Sequence, residues 1–83
     1  MPTPPMIPVE SSSIRAIGYD AAAHRLYVEF HSGDRYVYDG VNARAHQDLV
    51  NAESIGAHFN TQVRNVYECR KAVSTRHLRQ VNG

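Results

Sequence analysis

The sequence predicts a small α+β domain in which a three-stranded antiparallel sheet is followed by two short α-helices packed on one of its faces. Leu26, Val28 and Phe30 alternate with Arg25, Tyr27, Glu29 and His31, the period-two pattern of a half-buried strand. Ser32-Gly33-Asp34 supplies turn chemistry before Arg35-Tyr36-Val37-Tyr38-Asp39 returns as a second such segment. Further on the period changes, and Ile55, Phe59 and Val63 stand four residues apart, which aligns them as one apolar stripe on a helix. A chain of 83 residues, 42% of them hydrophobic and with no Trp, has material for one core and no more.

The elements follow in order. Pro2, Pro4, Pro5 and Pro8 remove amide donors and favour extended chain, so residues 1–10 read as a flexible, Pro-rich tail. Ser11, Ser12 and Ser13 continue this polar entry. Ile14 to Asp20 combines β-branched and aromatic residues into a first strand, and Asp20-Ala21-Ala22-Ala23 connects it to the second at Arg25. The three strands cover roughly residues 13–41.

The register of the second hairpin decides where the tyrosines go, because a slip of one residue turns every side chain to the opposite face. A three-residue loop of Ser32 to Asp34 sets Phe30 opposite Tyr36 and Val28 opposite Tyr38, placing both tyrosines in the core. A two-residue loop of Gly33-Asp34 sets Phe30 opposite Val37 and makes Tyr36 and Tyr38, with Tyr27, an exposed aromatic platform. The sequence leaves both open.

Asn42 is a good N-cap for a helix over Ala43 to Ala52, with Ala45, Leu49 and Ala52 on one side and Val50 beside them. Ser54 caps the second helix, where Gly56 costs about 1 kcal/mol relative to Ala but the Ile55, Phe59, Val63 stripe demands a partner surface. The apolar sheet face is that partner. From Asn65 the periodic signal fades. The expected domain therefore spans residues 11–70, and residues 71–83 read as a basic, partly disordered tail.

Formal net charge is +1, but its distribution is uneven. Up to Val63 four Arg face seven acids; from Arg64 onward Arg64, Arg70, Lys71, Arg76 and Arg79 face Glu68 alone. Eight of the nine cations are Arg, whose planar donor fork suits phosphate and whose face stacks on bases. Cys69 is the single cysteine, which excludes an intramolecular disulfide and a cysteine-based zinc site. The N-terminus lacks the cations and the apolar run of a secretory signal, and no stretch nears the roughly 20 apolar residues that span a bilayer. These features point to a cytoplasmic protein with no membrane partner.

Catalytic and metal chemistry find little support. His24, His31, His46, His58 and His77 are too far apart for a local metal-binding pair. There is no glycine-rich phosphate loop, no nucleophile elbow and no adjacent carboxylate pair. No cofactor is expected, and the reading is non-enzymatic. What remains is an aromatic and basic set: Tyr36 and Tyr38 on a strand, then Arg64, Tyr67, Arg70 and Lys71 after the second helix. Sheet tyrosines with nearby Arg are how small modules stack single-stranded bases and hold phosphates. The competing reading makes the tyrosines packing residues and the cations a solvated tail.

Several short motifs recur in a characteristic order: Ser-Ser with Ile-Gly-Tyr-Asp within Ser12 to Asp20, Leu-x-Val-x-Phe and Ser-Gly within Leu26 to Gly33, then Tyr36-x-Tyr38 and Val41. Ser-x-Gly-x-x-Phe-Asn with a following Val, Arg and Tyr, from Ser54 to Tyr67, completes the series. In this the chain resembles the KTSC domain, named for its occurrence at the C-terminus of some lysyl-tRNA synthetases and also found as free-standing bacterial proteins. The match runs from Ser11 to Arg70, and Asn42 stands where the family usually has Pro. The resemblance implies a sheet packed with helices and, through the synthetase context, RNA as a partner. It carries over no catalytic residue.

The function expected is thus a small non-enzymatic binding module. RNA, single-stranded or tRNA, is its leading partner, with Arg64, Arg70 and Lys71 on phosphates and Tyr36, Tyr38 and Tyr67 available for stacking. The alternative is a protein-interaction adaptor that uses a sheet edge or an exposed aromatic surface.

Overall fold

A computed structural model describes residues 4–72. Five strands, β1 (Ile7–Pro8), β2 (Ile14–Asp20), β3 (Arg25–Phe30), β4 (Arg35–Asp39) and β5 (Cys69–Lys71), form one antiparallel sheet in chain order. Helices α1 (Ala43–Val50) and α2 (Ile55–Gln62) intervene between β4 and β5.

The α+β class and the three central strands agree with the sequence, but the sheet has five strands rather than three. β1 arises because the N-terminal segment lies against Gly18, where a side chain would have no room. A Cβ there would sit 2.7 Å from Met6 Sδ and 3.0 Å from the Pro5 carbonyl oxygen. Pro8 is tolerated because β1 is an edge strand with one paired side. Part of the expected tail over residues 1–10 is therefore sheet. β5 likewise takes Lys71 out of the expected C-terminal tail, pairing Tyr36 with Lys71, Val37 with Arg70 and Tyr38 with Cys69. The rest of that expectation, over residues 73–83, lies outside the described residues.

The β3–β4 hairpin takes neither expected register. Leu26 pairs with Tyr38, Val28 with Tyr36 and Glu29 with Arg35. The loop is three residues long, but they are His31, Ser32 and Gly33. The Phe30 amide donates to the Asp34 carbonyl and the Gly33 amide to the Phe30 carbonyl, both at 2.9 Å. Gly33 adopts φ +100°, the left-handed position that closes a three-residue hairpin after a turn. Relative to a loop of Ser32 to Asp34 the strands slide by two residues, an even number, so the faces are preserved. Tyr36 and Tyr38 share the face of Leu26, Val28 and Phe30, which overturns the exposed-platform arrangement.

That face is covered by the two helices. Asn42 Oδ1 accepts from the Ala45 amide at 2.8 Å, and Ser54 Oγ from the Ala57 amide at 3.3 Å, so both expected caps form. Leu49 of α1 and Ile55 and Phe59 of α2, with Val63 just beyond, are buried against Ile14, Ile17, Leu26, Val28, Tyr38 and Val41. His46 lies flat on Tyr19, with ring centroids 4.5 Å apart, and the Tyr19 hydroxyl donates to the Val41 carbonyl at 2.7 Å. These contacts dock α1 on the sheet. The opposite sheet face carries ion pairs from Asp39 to Arg25 and Arg70 and from Glu29 to Arg35.

Candidate ligand cleft

At the hairpin end of the sheet the helices leave part of the inner face uncovered. A cleft of about 740 Å³ opens there, between the serines before β2, the hairpin, α2 and the turn that follows it. Its floor is aromatic. Phe30 meets Tyr36 and Phe59 edge to face, with centroids 5.8 and 5.6 Å apart, and Tyr38 meets Phe59 at 5.4 Å. Tyr38 and Phe59 are each 3% exposed, whereas Phe30 and Tyr36 are only half-buried.

Polar groups surround this floor. Phe59 faces the core, and its neighbour Asn60 turns toward the cleft. The Val63 and Arg64 amides both donate to the Phe59 carbonyl, at 3.0 and 2.9 Å, which ends the helix. Val63 is buried, so Arg64 and Asn65 are held at the core margin, lining the cleft. Ser12 and Ser13 line it as well, as does the Cys69 thiol of β5. His31 lines it too, and its Nε2 donates to the Ser11 carbonyl at 2.9 Å, which ties the hairpin loop to the serine segment. Burial pushes the Tyr38 hydroxyl up to about 12, with the adjacent Cys69 thiol adding to the rise and Arg64 opposing it. At neutral pH this phenol is an uncharged donor.

The structure divides the six sequence candidates. Tyr36, Tyr38 and Arg64 meet in the cleft. Lys71, opposite Tyr36, stands beside it with Nζ 3.3 Å from Asp34 Oδ1. Arg70 is on the other face of the sheet, where its Nη1 is 2.6 Å from Asp39 Oδ2. Tyr67 packs against the core cluster and does not line the cleft. Among the described residues Arg64 makes no ion pair, so the cation at the cleft is uncompensated while Arg70 and Lys71 are neutralised by acids.

Sequence reasoning passed over Asn60, Asn65, Ser12, Ser13 and Cys69, and it assigned Phe30 and Phe59 to packing alone. A signal was present. Ser12, Phe30, Tyr36, Tyr38, Phe59, Asn60 and Arg64 all belong to the short motifs noted above, and the fold brings all of them to one place. Among the described residues no group of three or more His, Cys, Asp or Glu side chains is placed to hold a metal ion, and no helix is long and apolar enough to cross a membrane.

The fold and cleft define a small α+β module with one sheet face packed by helices and a cleft at the hairpin end of that face. Residues 10–67 match the profile of the KTSC domain, and the chain belongs to that family. It is 44% identical over 54 residues to an uncharacterised protein from Stutzerimonas stutzeri, covering 65% of this chain and 76% of that one. A protein from Tsukamurella paurometabola is 46% identical over 55 residues, covering 66% and 82%. A lysine–tRNA ligase from Nostoc punctiforme is 34% identical over 64 residues, which is 77% of this chain but 11% of the ligase. The crystal structure of a KTSC domain protein from Yersinia pestis superimposes with a TM-score of 0.78 at 38% identity, covering 83% of this chain and 97% of that one.

Proposed function

We propose that this chain is a non-enzymatic RNA-binding module whose contact surface is the cleft and its rim. The observation that carries the reading is Arg64, which makes no ion pair among the described residues, beside half-buried aromatic rings. A cation next to ring surface is the arrangement that takes a phosphate and a base together. The lysine–tRNA ligase relative supports the same partner class, since that protein by its name acts on tRNA. Tyr38 is withdrawn from the stacking role by its burial, and Arg70 from the phosphate role by its position on the other face.

A backbone amide NMR titration with a pool of short single-stranded RNAs tests this. Shifts at Tyr36 and from Asn60 to Asn65 are expected at low salt and should persist at physiological salt. An absence of shifts, or diffuse shifts that vanish with salt, would overturn the RNA reading and direct the search to protein partners.

A further inference from the structure

Resting on the RNA reading, we propose that the cleft is a single-nucleotide pocket: it takes one unstacked base of a single strand against Tyr36 and Phe30, with Arg64 on the adjoining phosphate. The geometry narrows the ligand in three ways.

First, the aromatic surface is recessed. An open sheet with exposed rings accepts a row of stacked bases. Here the rings line a cleft between α2 and the hairpin, where Tyr38 and Phe59 are buried and Phe30 and Tyr36 are half-buried. A base must leave its stack to reach them, so paired RNA is excluded unless it opens. Second, about 740 Å³ lies within the roughly 300–1,000 Å³ range of sites for one drug-sized ligand, and a nucleotide is of that size. Third, the polar lining suits a base edge. Asn60 and Asn65 each offer an amide donor and acceptor, Ser12 and Ser13 offer hydroxyls, and the Tyr38 phenol stays neutral. Asp34, the acid at the cleft, is held by Lys71 and so repels a phosphate less than a free carboxylate would.

The probes are the four nucleoside 5′-monophosphates, inorganic phosphate, and one RNA heptamer offered alone or annealed to its complement, all against the full chain. Each monophosphate should shift Tyr36, Asn60 and Asn65, and phosphate alone should not shift Tyr36. The heptamer should bind at least tenfold more tightly as a single strand. Tyr36→Leu should weaken that binding roughly 5- to 100-fold and Tyr36→Phe should restore it, as expected for loss and return of one stacked ring. Arg64→Gln should reduce the log-log salt slope by about 0.7, the share of one phosphate on a single strand. Asn60→Ala, a change on the exposed side of α2, should alter the ranking of the four monophosphates without loss of the folded spectrum.

If the heptamer binds but Tyr36→Leu leaves its affinity unchanged, or if duplex binds as well as single strand, the pocket is overturned while the RNA reading stands. Monophosphate shifts in the cleft with no heptamer binding would overturn the RNA reading and keep the cleft as a site for free nucleotides. Silence from every probe would overturn both.

Discussion

Tyr36 and Tyr38 are two residues apart on one strand and face the same way, yet they do different work. Tyr38 is 3% exposed beneath Phe59, and Tyr36, toward the hairpin end, is half-buried at the cleft. Burial raises the Tyr38 hydroxyl from about 10 to about 12. The folded state therefore keeps this proton at pH values where the unfolded chain has released it. The associated stability is fully present below about pH 10 and is lost as pH rises through about 12, a loss of roughly 2–3 kcal/mol. Chemical denaturation from pH 9 to 12 should show this decline, and Tyr38→Phe should flatten it. An equally steep decline in Tyr38→Phe would assign it to another group.

Among the elements, β1 shows how far a single position can control pairing. Gly18 in β2 admits the Met6 side chain and the Pro5 carbonyl because it carries no Cβ. Gly18→Ala should push the N-terminal segment away and disrupt the pairing of Ile7 with Ile17 and Pro8 with Ala16, at a cost of roughly 1–3 kcal/mol, typical of overpacking. Urea denaturation would measure the cost, and amide shifts confined to residues 5–9 and 16–18 would locate it. The helices, by contrast, were legible throughout. Asn42 and Ser54 cap them through their own side chains, and Ile55, Phe59 and Val63 are buried as the spacing requires. β5 was illegible because Glu68, Cys69, Arg70 and Lys71 carry no alternation of their own. Their pairing comes from β4, some thirty positions earlier in the chain, and is backed by Asp39, whose carboxylate pairs with Arg70 and whose amide donates to the Glu68 carbonyl at 2.9 Å.

At the scale of the whole molecule the cationic C-terminal part does not act as one patch. Arg70 joins an ion-paired network with Asp39 and Arg25 on the outer sheet face, Lys71 is paired near the cleft, and Arg64, at the cleft, makes no ion pair among the described residues. Arg70→Gln should leave RNA affinity within about twofold and cost at most about 1 kcal/mol of stability, as exposed ion pairs do. A loss of affinity from Arg70→Gln comparable with that from Arg64→Gln would move the RNA surface to the outer face. Fluorescence anisotropy with one labelled single strand at two salt concentrations makes the comparison.

The sequence by itself determined what depends on neighbours in the chain: the alternation of β3, the helix caps, the apolar stripe of α2, and the set of short motifs that meet in the cleft. Tertiary structure decided what depends on distant partners. Either odd or even registers fit the alternation of the hairpin until Gly33 and the Phe30–Asp34 hydrogen bond select an even slide. β5 exists only because β4, far earlier in the chain, supplies its hydrogen bonds, and β1 because Gly18 of β2 leaves room for the N-terminal segment. The cleft, for its part, is the gap left where α2 ends before the sheet does, so its aromatic floor and the placing of Arg64 at it are set by packing between elements, which no local pattern encodes.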